Sequence, residues 1–392
     1  MEILIDKPYI KKEENKSILS ATIKFGEDIK EIFIEVDEEY GKFLVDDIVD
    51  AFLVMVLPYA MMKARKEKVL IKSNCPASDK LLLQIKNYFV PIMCKNISYY
   101  ENIDIDIKGI KFDGYGATAV GTGVSCGVDS SYSIVKNMKN ADYPLTHLVL
   151  GNIGIYEGYD SVAQLNLEHK ASIISESVNL PLINIKSNAC IDLYKKAHAP
   201  IVPFIFMGLI LSLQKLFKIY FYSSAFEPSD FGFKDEDAAY YEIFTVSMLS
   251  SDNLTFYSSG AEVSRLEKVE YIATEEWVKK VLSVCLNVMP DGGNCGRCAK
   301  CTRTMAELYV LGVLDEFNGI FDVEDFKNNF PYHWGFVLLK AWSGDPFYIE
   351  LIKRFKEKDG ISLSIYFSAI KKWFKRGCTF TNKKREKVED IL

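Results

Sequence analysis

The chain has 392 residues, 49% of them hydrophobic and 26% charged, with a formal net charge of −6. That apolar content excludes disorder over most of the length, and the acidic balance excludes a basic nucleic-acid footprint over the whole surface. At ~100–200 residues per domain, the length suits about two to three domains. The longest apolar runs, residues 51–62 and 201–213, fall short of the ~20 residues of a membrane helix and read as buried helices, so no membrane partner is expected. The opening MEILIDKPYIKKEENKS lacks the pattern of a secretory signal. Nine cysteines, an odd number with four bunched late, suit a reduced, cytoplasmic setting with a metal site better than a disulfide framework.

In chain order, residues 1–115 read as an α+β unit. Residues 17–25 and 31–36 alternate like strands, 45–66 form a long apolar helix, 69–72 a short strand and 78–89 another helix. From residue 117, strand-length runs alternate with helix-period stretches. Strands fall at 118–124, 145–150, 182–185 and 219–222, and helices at 129–138, 162–178 and 201–217. This alternation predicts a parallel sheet with helices on both faces, binding ligands beyond the carboxyl ends of its strands. After about residue 315 the pattern is helical and aromatic-rich. Residues 353–387 hold twelve Lys/Arg against three Asp/Glu. Such a run is either a solvated helical face or a dock for an anionic partner, such as a carrier domain's phosphopantetheine or RNA phosphates.

The turn after the first core strand is Ser125-Cys126-Gly127-Val128-Asp129-Ser130-Ser131. A helix start offers backbone N–H groups and a positive dipole end, small residues let phosphate approach, and serine hydroxyls add donors. A carboxylate at Asp129 makes sense there if it holds Mg²⁺. Two other readings compete. Gly123-Val-Ser125-Cys-Gly127 matches a nucleophile elbow, with Ser125 as a hydrolase nucleophile, and the histidines open to it are His147, His169, His198 and His333. The turn also reads as an ordinary helix cap. No G-K-[ST] follows, which excludes a Walker loop.

The turn resembles the pyrophosphate-binding loop S-G-G-x-D-S of the adenine nucleotide α-hydrolase superfamily, the N-type ATP pyrophosphatases or PP-loop proteins. Ser125, Gly127, Asp129 and Ser130 match, and Cys126 replaces the first loop glycine. The resemblance implies a Rossmann-like, HUP-type α/β core at residues 116–315, with the α+β domain before it and a helical, basic region at 316–392 after it. It implies ATP as the nucleotide, with residues 125–131 at its phosphates.

Downstream, Cys285, Cys295, Cys298 and Cys301 have the spacing of ligands that converge on one tetrahedral Zn²⁺, an iron–sulfur cluster being the rival. This segment resembles the zinc-binding tail of the 7-cyano-7-deazaguanine synthase branch of the same superfamily. Gly260 to Glu270 is a charged helix start whose ion pairs could serve the helix itself. It resembles a segment flanking the site in that branch, which implies that Arg265 or Lys268 reaches the phosphates or substrate. Gly151 and Asn152 after the second core strand suit adenine or ribose contact as well as a plain turn, and Ser223 and Ser224 end another strand at the same edge. His198, with Lys195 and Lys196 before it, reads as a cap, core or functional residue. Cys126 and Cys190 read as small buried hydrophobes, although a thiolate at Cys126 is favoured by the helix N-terminus.

The implied chemistry is ATP-dependent adenylation of a carbonyl or amide oxygen on a small-molecule or carrier-protein-bound substrate. AMP and pyrophosphate form, and sulfur or nitrogen then replaces the activated oxygen. A sulfur or ammonia donor is the expected further partner, the composition argues against nucleic acid, and a homodimer is allowed for. The catalytic candidates are Ser125, Asp129 and Ser130.

Overall fold

The structure, a computed structural model, describes residues 1–111, 114–155, 158–195, 199–285, 287, 289 and 293–379. Lys196 and His198 lie outside the described residues. The strands are β1 Glu2–Ile5, β2 Tyr9–Glu13, β3 Lys16–Phe25, β4 Asp28–Asp37, β5 Leu70–Ser73, β6 Ala77–Ser78, β7 Asp104–Asp106, β8 Gly109–Ile110, β9 Ala119–Gly123, β10 His147–Asn152, β11 Leu182–Ser187, β12 Phe217–Ser223 and β13 Thr255–Ser259. Strands β6 and β8 pair apart from the rest. The other eleven form one sheet in the order β13-β12-β9-β10-β11-β4-β3-β1-β5-β7, with β2 also on β3.

The five strands from β13 to β11 are mutually parallel, as the alternation predicts. Taken in chain order they lie 3-2-1-4-5, so the direction of winding reverses between β9 and β12. A crevice opens where such a reversal parts the loops on either side, and this is where ligands bind in open α/β sheets. The loop Val124 to Gly127 and the segment Ser224 to Ala225 leave β9 and β12 at that point.

The sheet does not stop near residue 115. Strand β11 pairs antiparallel with β4 through Ile185, Lys186 and Ser187 against Val36, Glu35 and Ile34. Beyond Ser187 the side chain of Asn188 continues the ladder. Its Oδ1 accepts from Phe33 N at 2.8 Å and its Nδ2 donates to Glu31 O at 2.8 Å. The apolar helices Asp50–Lys63 and Val202–Leu211 pack closely, because a side chain at Gly208 would meet Met55 Cγ at 2.5 Å and Ala51 O at 2.8 Å. Residues 1–115 and the parallel strands therefore share one apolar core.

Some boundaries move. The first long helix starts at Asp50, after a 3-10 turn at Glu38–Phe43, and not at residue 45. The helix expected at 78–89 runs on as Asp79–Gln84, a π-turn at Ile85–Phe89, and Val90–Asn96. Pro91 sits in that last piece, and a π-turn relieves the clash and missing N–H that proline brings to an α-helix. A second core joins the helix Val128–Met138 to the late helices Ala299–Leu311, Phe330–Trp342 and Pro346–Lys358. Among the described residues, no helix is long and apolar enough to cross a membrane.

Replacing Asn188 by alanine leaves the Phe33 N–H and the Glu31 carbonyl without their partner. A loss of about 2 kcal/mol in urea unfolding is expected, and Asn188→Asp should lose no less, because its second carboxylate oxygen would face the Glu31 carbonyl and the Asp192 carboxylate that Nδ2 now bonds.

Candidate active site and metal centre

The loop after β9 is held by its own serines. Ser125 N and Oγ donate to Ser130 Oγ at 3.2 and 3.1 Å, and Ser130 Oγ donates to Gly127 O at 3.1 Å. Cys126 stands at φ +56°, a left-handed conformation that favours glycine. Its carbonyl accepts from Ser283 N at 2.7 Å. Its side chain is fully buried in the apolar core, and burial pushes the thiol up to about 12. Of the two readings of this thiol, the buried hydrophobe describes it and the thiolate does not. Desolvation outweighs the helix dipole, and Cys126 contributes backbone shape.

Gly127 is the N-cap of the helix Val128–Met138, with no side chain capping it. Ser125, Gly127, Val128 and Asp129 line a cavity of about 570 Å³. Arg265, Lys170, Lys300, Arg303 and Lys340 line it too, against Asp129, Asp237 and Asp345. Phe226, Tyr240 and Phe347 form a stacked aromatic wall, with ring centroids 4.0 and 4.9 Å apart. Arg303 lies 4.4 Å over the Phe347 ring.

At the floor, Asp129 meets two cations. Arg265 Nη1 lies 3.0 Å from Oδ2 and Lys268 Nζ 3.2 Å from Oδ1. The ion pairs of this charged segment thus cross to another element. Ser264 and Glu267 make a reciprocal capping box that starts the helix Arg265–Ile272 and aims both cations. Burial alone would raise the Asp129 carboxyl, yet Arg265 and Lys268 hold it below the usual carboxylate range. Each carboxylate oxygen already holds one cation, so Mg²⁺ at Asp129 would share the carboxylate with Arg265 and Lys268 or displace one of them.

Behind this pair sit groups that sequence reasoning missed. Glu307, buried, lies 3.6 Å from Arg265 Nε and 3.7 Å from Arg303 Nε. Burial and the Arg265 charge push Arg303 down, while Glu307 opposes that shift and holds the guanidinium at the cavity wall. Lys268 Nζ donates to Ser224 O at 2.7 Å. Ser224 Oγ and Ala225 N both donate to Glu242 Oε1, the latter at 2.7 Å. Burial lifts Glu242 to about 7, with the Asp129 charge adding to the rise. The Arg303/Glu307 pair at four-residue spacing was the one signal open to a reader of the sequence.

Other expected residues are placed differently. Ser131 is buried beneath the loop, and the Ser223 hydroxyl is buried at the end of β12. Gly151 and Asn152 do end β10, but neither lines the cavity. A side chain at Gly151 would strike Phe206 at 2.2 Å, and Asn152 Nδ2 donates to Tyr159 O at 2.8 Å, so both serve packing and the turn. Among the described residues no histidine lines the cavity, and Ser125 Oγ has Ser130 as its partner. His147 sits at the opposite end of β10, against Thr146.

The four cysteines come together as the spacing predicts. The sulfurs of Cys285, Cys295, Cys298 and Cys301 all lie within 4.8 Å of one another. Two Sγ–Sγ edges measure 3.8 and 3.9 Å. A tetrahedron with metal–sulfur bonds of about 2.3 Å has edges of about 3.8 Å, so the set fits a single Zn²⁺. An iron–sulfur cluster would spread its sulfurs around several iron atoms. Backbone N–H groups of Asn287, Cys298 and Cys301 donate to Cys285, Cys295 and Cys298 sulfurs at 3.3, 3.3 and 3.4 Å. Such bonds favour thiolates, and those of Arg297 and Cys298 draw Cys295 down to about 6 against the effect of burial. Asn294 Oδ1 accepts from Val284 N and Cys285 N at 2.9 and 3.2 Å, fixing the first ligand. Cys298 also caps the helix Ala299–Leu311, which carries Lys300 and Arg303 to the cavity.

Compared with protein-family models, curated proteins and solved structures, the chain matches none of them. Its established features are a mixed α/β fold with a large, mostly parallel sheet and a four-cysteine cluster able to hold zinc.

Two outcomes follow from this geometry. Purified protein is expected to carry about one zinc per chain by elemental analysis, and Cys298→Ala should lose it and unfold at lower temperature, because ligand and helix cap go together. Glu242 binds a proton in the folded state between about pH 4.5 and 7 that the unfolded chain releases, so its contribution to stability falls as pH rises through that window. Glu242→Gln keeps the acceptor for Ser224 and Ala225. It should flatten this slope and gain on the order of 2 kcal/mol at pH 8 in denaturant titrations.

Proposed function

We propose that the protein is an adenylating enzyme of the PP-loop type, built on a Rossmann-like core, that consumes MgATP and releases pyrophosphate and AMP. The observation that carries this reading is the Ser125–Gly127 loop. It opens the helix Val128–Met138 at the point where the sheet reverses, into a cavity whose cations outnumber its carboxylates. Helix N–H groups and the positive dipole end suit the departing pyrophosphate. Arg265 and Arg303, which line the cavity, suit the charge that develops on the phosphates, while Lys268, fully buried, holds Asp129 from behind.

In the first step an oxygen of the substrate's carboxylate or amide attacks the α-phosphorus. The bond from that phosphorus to the bridging oxygen breaks, and pyrophosphate leaves with the electron pair. In the second step ammonia, an amine or a sulfur nucleophile attacks the activated carbon, and AMP leaves with the former substrate oxygen. The burial of Cys126 argues that sulfur, where sulfur is used, comes from a separate donor. The same geometry gives the hydrolase reading less support, since Ser125 is bonded to Ser130 in place of a base. The zinc site serves the fold of the helix that bears Lys300 and Arg303.

Zinc-replete protein is expected to bind ATP by calorimetry and to release pyrophosphate when supplied with a suitable carboxylate or amide and ammonia or sulfide. Asp129→Ala should lower pyrophosphate release at least about 100-fold, because Arg265 and Lys268 lose the group that aims them. Absence of ATP binding by the wild type would overturn the reading.

A further inference from the structure

The helix Leu363–Thr379 is apolar on two sides. One side, with Ile365 and Ala369, is buried. Away from it stand Leu363, Phe367, Ile370 and Phe374, exposed by 75, 69, 40 and 63%. Their spacing is 4-3-4, the narrow seam by which one helix packs on another. Beside the seam, Leu339, Trp342, Ser343, Ile370 and Trp373 line a groove of about 250 Å³. Its two indoles are 51 and 60% exposed.

The charge around this surface is predominantly positive. Lys371 and Lys375 are exposed along the seam, and residues 353–375 hold seven Lys/Arg against two Asp/Glu. A second copy would bring a like excess against the first, which opposes self-association through this face. A bilayer needs no groove, whereas a pocket between two tryptophans takes an anchoring side chain from a partner. The segment that lines the groove at Leu339 and Trp342 continues to Asp345 and Phe347, which line the charged cavity, so an occupant of the groove lies on the chain segment that leads to that cavity.

We propose that this face docks an acidic amphipathic helix of a partner protein. Apolar side chains of that helix enter the seam and groove, and its carboxylates pair with Lys371 and Lys375. The proposal stands on the surface alone and holds or fails independently of the adenylation reading.

Tryptophan fluorescence of the full chain tests it, because Trp277 and Trp334 are buried at 8 and 0% exposure while Trp342 and Trp373 face the groove. The probe is a synthetic helical peptide of about five turns with leucines at the same 4-3-4 spacing and glutamates on its flanks. A saturable shift is expected, weakened at least about tenfold by Phe367→Ser with Phe374→Ser, both checked for folding by circular dichroism. Lys371→Glu with Lys375→Glu should weaken the glutamate peptide and favour a matching lysine peptide. Equal binding of both peptides by the wild type, or binding indifferent to the phenylalanine changes, overturns the proposal. So does a shift with phosphatidylglycerol vesicles and none with peptide, or a dimer in sedimentation that the phenylalanine changes dissolve.

Discussion

Three cations are kept charged almost entirely out of water at the carboxyl edge of the sheet, and two carboxylates make this possible. Asp129 takes Arg265 and Lys268, and Glu307 stands between Arg265 and Arg303. Removing one member of such a set strands its partners in a poorly solvated place, at a cost of roughly 3–5 kcal/mol. The charges therefore tie three distant pieces of chain together. The loop after β9, the helix Arg265–Ile272 and the helix Ala299–Leu311 must all arrive for any one of them to be stable where it is. Their fields also converge on one cavity, where an anionic ligand would find donors already in place.

Each piece is positioned by a local device. The loop is pinned by its own serine hydroxyls and by a left-handed residue at Cys126. The capping box at Ser264 sets where its helix begins, hence that Arg265 and Lys268 face Asp129. The cysteine cluster fixes the start of the helix bearing Arg303, since one of its sulfurs is also the helix cap. A metal at that cluster would thus act on the cavity through geometry, with no open position of its own. The strands of residues 1–115 extend the sheet beyond β11, on the side away from the reversal point, and back the parallel strands with a shared core.

Much of this was legible along the chain, for reasons that differ by residue. The strand–turn–helix around Ser125 shows itself because an apolar run, a small-residue turn and a 3.6-residue period follow one another. The cysteines show themselves because metal ligands need short, fixed spacings. The helix at Arg265 carries a cap signal within four residues. Other features left no such trace. Glu242 reads as one acid among many, and its proton affinity comes from the depth at which Ser224 and Ala225 meet it. Gly151 and Asn152 end the expected strand, yet Phe206 and Tyr159 decide which way that end faces. The thiol of Cys126 was open to opposite readings until the core around it was seen.

The sequence by itself determined most of the local elements, the small-residue turn before the helix Val128–Met138 and the spacing of the four cysteines, because each is written in residues a few positions apart. The tertiary structure alone decided three things. It joined the amino-terminal strands to the parallel sheet across β11 and β4. It brought Asp129 to Arg265 and Lys268, 136 and 139 residues away in the chain. Among the described residues, it also left the seam of the helix Leu363–Thr379 exposed. Pairing of strand edges, partnering of buried charges and covering of apolar faces depend on which distant surfaces meet, and a periodicity carries no information about its partner.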